Sequence, residues 1–369
     1  MATLAAAEPT PAPETVPDPA KLNAADALWM AYADHRQAAV IARSAEKIEP
    51  VKSLNDWSRR RRHILLGMQR AMGPFPRNRY RPTDFKTTEA VELAGGFTRL
   101  RIEFRSSGNA AAPNVPAYLF IPKMKAGERR PAILCLHQTQ NGGKSEPAGL
   151  SGLESLHYAL ELAERGYVTL APDYPSFGDY HYDFKVEPEL ASGTLKAVLD
   201  NMAAVDLLQA RADVDGDRIA AIGHSLGGHN AIYTAVFDTR IQAVVSSCGF
   251  NAFHKYYEGN LIGWTSDRYM PRIRTEFGNS PDKVPFDFPE LIAALAPRAF
   301  FTSSPLRDGN FEVSGVHDCI AAAKPIYELH SVADRLQAVH PDCEHEFPAP
   351  IRKQAYEFLD KQLGFTPAN

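Results

Sequence analysis

From residue 131 to the C-terminus, short unbroken apolar runs alternate with segments of helical periodicity. No other feature constrains the fold as strongly. The runs are PAILCLH (Pro131–His137), YVTLAPDY (Tyr167–Tyr174), RIAAIG (Arg218–Gly223), IQAVVSSCG (Ile241–Gly249), RAFFTSS (Arg298–Ser304) and RLQAVHP (Arg335–Pro341). A strand buried on both faces reads this way because neither face meets water. Between the runs, helical patterns span Leu153–Arg165 (stopping at Gly166), Gly193–Arg211, Leu226–Phe237 and Arg352–Leu363. Such alternation predicts an α/β fold with a mostly parallel, twisted sheet and helices on both faces. Upstream, Glu89–Phe104 reads as a strand pair turning at Gly95–Gly96, and Val115–Pro122 as a third strand.

Three stretches fall outside this pattern. Residues 1–22 are rich in Ala, Pro, Thr and Glu and read as a flexible leader. Its opening ATLAAAEP resembles the tail of a secretory signal around a small-residue cleavage site. If it is such a remnant, export is expected; otherwise the compartment is cytoplasmic. Residues 23–85 form an N-terminal arm, read as helical from Asn23 to Arg70 on the spacing of Trp29, Tyr32, Val40, Trp57, Ile64 and Leu65. Prolines in Gly73–Pro82 close it. Residues 86–369 then read as the main domain, within which 251–290 interrupts the alternation and is expected as an insertion over the strand ends.

Composition narrows the partners. The chain carries 44% hydrophobic and 23% charged residues and a net charge of −4, enough apolar matter for a large core. No basic stripe suggests nucleic acid. The dense run RRRRH (Arg59–His63) is expected as a solvated helix face. No apolar run reaches the ~18 residues of a membrane span. The four cysteines contain no C-x-x-C pair, and Cys135 and Cys248 fall in strand-like runs as core thiols.

The chemistry centres on GHSLGG (Gly223–Gly228), where Gly223, Ser225 and Gly227 meet the pattern G-x-S-x-G. Alone the pattern is weak; between a buried strand and a helix it has the context of a nucleophile elbow. Glycines are needed because the turn is too tight for side chains, and the helix start, with the amide of Leu226, can stabilise an oxyanion. A serine nucleophile needs a base, and the base an orienting acid. In chain order Ser, acid, His, the base is His345 in DCEHEFP. His340, at the strand end, is the competitor and reads better as a polar cap; His317 and His330 precede that strand. The acid is Asp308, in the loop after RAFFTSS, with Asp318 as runner-up on a following helix. The second oxyanion donor is expected in LHQTQNGG (Leu136–Gly143), from the amide of Gln138 or Thr139, with His137 bracing that loop. No second ligand sits at helical or hairpin spacing from His137, so neither a metal nor another cofactor is expected.

Asp213–Gly228, Leu162–Asp179, Ala296–Phe311 and Glu344–Pro348 together resemble the α/β-hydrolase superfamily, most of all its dienelactone-hydrolase-like and acetylxylan-esterase-like branch. The resemblance covers roughly residues 86–365. It implies an eight-stranded α/β-hydrolase sheet, ester hydrolysis and the triad Ser225–Asp308–His345. Two departures matter: Ser225 stands where dienelactone hydrolases proper carry Cys, and Gln138 where many relatives carry Gly.

The expected substrate is a small-molecule or carbohydrate ester. Tyr256, Tyr257, Trp264 and Tyr269 in the insertion either stack on a sugar or aryl ring or pack under their own loop. The rivals are a serine exopeptidase of the prolyl-oligopeptidase type and a non-catalytic binding protein on a hydrolase scaffold. The 85 residues ahead of position 86 are too few for the propeller that the first commonly carries.

Overall fold

The structure, a computed structural model, describes residues 16–367. Its first strands form the hairpin β1 (Val40–Ser44) and β2 (Lys47–Pro50), followed by helix α1 (Leu54–Met72). Then come β3 (Lys86–Leu93), β4 (Phe97–Phe104), β5 (Val115–Pro122), β6 (Arg130–Leu136), α2 (Tyr158–Glu164), β7 (Val168–Pro172) and α3 (Gly193–Ala210). The second half runs β8 (Val214–His224), α4 (Leu226–Phe237), β9 (Ile241–Ser247), α5 (Arg272–Thr275), α6 (Phe288–Leu295), β10 (Ala299–Ser303), α7 (Val313–Leu329), β11 (Leu336–Val339) and α8 (Ala349–Leu363).

The main sheet has the order β11-β10-β9-β8-β6-β7-β5-β4-β3. Six strands from β11 to β7 run parallel; β5, β4 and β3 continue antiparallel at one edge. The sheet therefore has nine strands rather than the eight expected, because both arms of the hairpin at Gly95–Gly96 join it. Neighbouring side chains on a strand face opposite ways. In β6, Leu134 and Leu136 pack in one apolar layer with α1, α3, α4 and α6, while Ile133 and Cys135 pack in the other with α2 and α8. The chain leaves β6 towards β7 on one side and returns to β8 on the other. This reversal of strand order opens a crevice at the strand C-termini, where ligands bind in open α/β sheets.

Caps fix where the flanking helices start. Ser53 and Ser192 accept the amides of Asp56 and Leu195, and Asp287 and Glu290 form a reciprocal capping box on α6.

The N-terminal arm differs from its expected form. Val40 lies in a β-hairpin, not a helix, and Asp26–Ala31 is a short 3₁₀ helix. The leader's end is tied down: Pro17 is buried and its carbonyl accepts from Gln69 Nε2 at 2.8 Å. The segment ATLAAAEP lies outside the described residues. No described helix is long and apolar enough to cross a membrane.

The basic run is not a solvated face. Arg60, Arg61 and His63 are buried. Arg60 pairs with Glu290 on α6 and lies 3.6 Å above the ring of Tyr32, while His35 Nδ1 lies 2.8 Å from the same carboxylate. Arg61 donates to the carbonyls of Ala294 and Val236. Tyr32 Oη and His63 Nδ1 are 2.8 Å apart, and burial pushes the His63 pKa down to about 4. Local periodicity misread this face because the arginines meet carboxylate and carbonyl partners that lie more than 170 residues away in the chain. Burial works against the Glu290 charge, but His35 and Arg60 outweigh it and hold its pKa below the ordinary value. Arg60→Ala would take its arginine partner from that buried carboxylate and leave it His35, so a loss of about 3 kcal/mol is expected in urea unfolding. An unchanged midpoint would rule out the pair as an anchor of the arm.

Candidate active site

Ser225 sits between the last residue of β8 and the first of α4, with φ 52° and ψ −117°. A non-glycine residue held in this region stores about 1–3 kcal/mol of strain. Its surroundings enforce the turn. The Ser225 amide donates to the Ser247 carbonyl on β9 at 2.8 Å. A Cβ on Gly223 would lie 2.3 Å from the backbone of Gly227, and one on Gly227 would lie 1.9 Å from the Leu136 carbonyl oxygen. Both glycines of the pattern are thus required by close backbone approach, one within the turn and one against β6.

Asp308 and His345 meet across 37 residues of sequence. His345 Nδ1 lies 2.9 and 3.0 Å from the two Asp308 carboxylate oxygens. Asp308 is buried, and Oδ1 also accepts the amides of Asn310 and Phe311. Burial opposes its charge, but the His345 hydrogen bond and charge and the two amides prevail, leaving its pKa below the ordinary aspartate value. The carboxylate accepts, so Nδ1 carries the proton and Nε2 is the free face of the ring. Cys248 lies behind this pair, its donor atom within 4.8 Å of theirs. Its thiol pKa is pushed well up by burial, as suits a packed neutral thiol. All four cysteines are free.

Ser225 and His345 open onto one cleft of about 260 Å³. Leu226, Gln138, Thr139, Tyr256, Trp264 and Tyr269, all expected there, line it as well. Leu226 begins α4, where the first amides have no intrahelical acceptor. The loop after β6 is braced as expected: His137 Nδ1 donates to the Gln138 carbonyl at 2.6 Å, and Nε2 accepts the Tyr174 amide at 2.9 Å. Both nitrogens are therefore committed within the fold. The Gln138 side chain donates to Glu146, and the Thr139 and Tyr269 hydroxyls are 3.2 Å apart.

Tyr257 stands apart from the others. It is not among the lining residues; it is 53% exposed, and its hydroxyl donates to Asn310 Oδ1 at 2.8 Å. Trp264 has both of the roles weighed for it, lining the cleft while packing on Phe253, Phe288 and Phe311. His340 caps its strand end, Nδ1 donating to the Ser304 carbonyl at 2.8 Å. Asp318 is exposed on α7.

Four lining residues were not anticipated: His229, Gly263, Asn310 and Phe311. His229 was within reach of sequence reasoning, since it follows Ser225 by four residues and shares its helix face. Asn310 and Phe311 had no comparable signal beyond lying next to Asp308 in an irregular loop.

A model of the Alpha/beta hydrolase family matches residues 133–355. YtaP of Bacillus subtilis (strain 168), a hydrolase by name, is 31% identical over 261 residues, which make up 67% of this chain and 83% of that one. Among solved structures, a glucuronoyl esterase from Solibacter usitatus aligns with a TM-score of 0.68 at 19% identity, covering 88% of this chain and 97% of that one. A CE15 glucuronoyl esterase from Teredinibacter turnerae T7901 aligns with a TM-score of 0.63 at 18% identity, covering 95% and 92%. At such identities the structural likeness speaks for the fold. With the family model spanning well over half its length, the chain belongs to the α/β-hydrolase family.

Proposed function

We propose that this protein is a serine carboxylic ester hydrolase that works through an acyl-enzyme on uncharged esters, those of carbohydrates foremost. The observation that carries the proposal is the His345–Asp308 pair: its Nδ1 is held by a buried carboxylate, and the ring lines the same cleft as a serine on a strained strand-to-helix turn. In this reading His345 Nε2 takes the Ser225 proton as Oγ attacks the ester carbonyl. Asp308 stabilises the resulting imidazolium without taking the proton. The amide of Leu226 and that of Gln138 or Thr139 receive the oxyanion, each donor worth about 3 kcal/mol of barrier. His345 returns its proton to the departing alcohol, then activates the water that releases the acid.

The lining supports the substrate class. Among the described residues of the cleft there is no Lys, Arg, Asp or Glu. Aromatic rings and neutral polar groups face the ester instead, a combination suited to sugar rings. The two solved structures described above, both glucuronoyl esterases, support a carbohydrate ester as substrate. The same lining offers no carboxylate to hold a peptide amino terminus, which weighs against an exopeptidase.

The test is a substrate panel on the purified protein: acetylated sugars, aryl esters, uronate methyl esters and aminoacyl-nitroanilides, alongside fluorophosphonate labelling. The expected result is one label on Ser225 and ester turnover that includes a sugar ester. Labelling with turnover confined to the nitroanilides would replace this function with the exopeptidase. No labelling and no turnover would leave a binding protein.

A further inference from the structure

His229 is a buried histidine to which catalysis assigns no role. It follows Ser225 by one helical turn on α4, is 7% exposed, and nevertheless lines the cleft. Its Nδ1 lies 3.2 Å from the Gly249 carbonyl oxygen, which can only accept, so Nδ1 carries a hydrogen. Burial drives its pKa down to about 3, so the ring is neutral and Nε2 has no hydrogen. Nε2 has no hydrogen-bond partner among the described residues, nor is it one of the sealed-off unpartnered side-chain atoms. It is a fixed, bare acceptor open to the cleft. Trp264 and Tyr269 hold the ring in place, with centroids 4.8 and 6.5 Å away.

We propose that His229 Nε2 is a hydroxyl-recognition subsite, accepting a hydrogen bond from a free hydroxyl beside the scissile ester of a partly acylated sugar. This deepens the carbohydrate-ester reading above and rests on it. The chemistry follows from what is missing. A buried acceptor left without a donor loses a water partner whenever an apolar substrate fills the cleft. A substrate that brings its own O–H restores the bond, and a site built to receive a hydroxyl discriminates sharply against an analogue lacking it. Neighbouring groups are consistent with ring-plus-hydroxyl recognition: Trp264 offers an aromatic face beside His229, and Tyr269 carries a hydroxyl of its own.

The experiment compares two substrates: a mono-acetylated methyl xyloside with a free neighbouring hydroxyl, and its deoxyfluoro analogue, which keeps size and acceptor character but cannot donate. For the wild-type protein kcat/KM should favour the hydroxylated substrate by about tenfold or more, the worth of one such bond. Because fluorine makes the leaving alcohol more acidic, any bias from chemistry alone runs the other way. In His229→Phe, which keeps a planar ring and removes the acceptor, the ratio should fall to about one or below; in His229→Gln, which restores an acceptor, part of the preference should return. A wild-type ratio near one overturns the proposal, even if the Phe variant fails to fold. So does a preference that survives in His229→Phe. Absence of wild-type turnover on both sugars, with aryl acetate still hydrolysed, would instead overturn the carbohydrate reading on which the proposal rests.

Discussion

Ser225→Ala is expected to lower kcat for p-nitrophenyl acetate by about 10⁶-fold, the loss typical when a serine nucleophile that acts as a unit with its base is removed. The substitution deletes one oxygen and leaves the elbow intact. The backbone at φ 52° is held by the Ser225 amide bond to Ser247 and by glycines at 223 and 227 that admit no side chain, so thermal unfolding should shift by less than about 1 kcal/mol equivalent. Activity and stability are therefore separable in this variant. Two measurements decide it: steady-state turnover and fluorophosphonate labelling, both on protein whose melting curve matches the wild type. Turnover within tenfold of the wild type would remove Ser225 from the chemistry and with it the acyl-enzyme.

The central sheet was legible because its parallel strands, apart from the half-buried edge strand β11, are buried on both faces. The expected Val115–Pro122 and Leu226–Phe237 coincide with β5 and α4 as observed, and Ile241–Gly249 overshoots β9 by two residues. The elbow was legible for a related reason: backbone closeness leaves a written trace as glycine, here at 223 and 227. The arm was legible only in part: Trp57, Ile64 and Leu65 lie on α1 as their spacing suggested, but its buried charged groups were missed. Arg60, Arg61 and Glu290 read as surface in any local pattern, and only the tertiary fold supplies the partners that make their burial tolerable. Val40 was assigned to a helix by spacing alone, although β-branched residues favour strands. At the site, chain order pointed to Asp308 and His345, which the fold brings within hydrogen-bonding distance of each other. The cleft wall was harder, since Asn310 and Phe311 are placed by an irregular loop and Tyr257 is turned outward by left-handed residues at 257 and 258.

Asp308→Asn is expected to lower kcat by about 10⁴-fold while moving KM little. Asp308 does not line the cleft, so it acts on substrate only through His345. A carboxylate can only accept, which keeps the proton of the neutral ring on Nδ1 and frees Nε2 to take the serine proton. An asparagine that turns its amide toward Nδ1 donates instead, moves the ring proton to Nε2, and blocks the step. Stability provides an independent readout. Because the Asp308 pKa is lowered in the folded protein, its ionised form stabilises the native state fully above the unfolded value of about 3.9, and that contribution is lost as pH falls through the folded value. The stability gap between wild type and Asp308→Asn should therefore be widest above about pH 5 and close toward strongly acid pH. Asp318→Asn, exposed on α7, should match the wild type in both measurements. If Asp308→Asn keeps kcat within tenfold while Asp318→Asn loses it, the orienting acid is Asp318, and the His345–Asp308 bond is a contact of the fold rather than of the reaction.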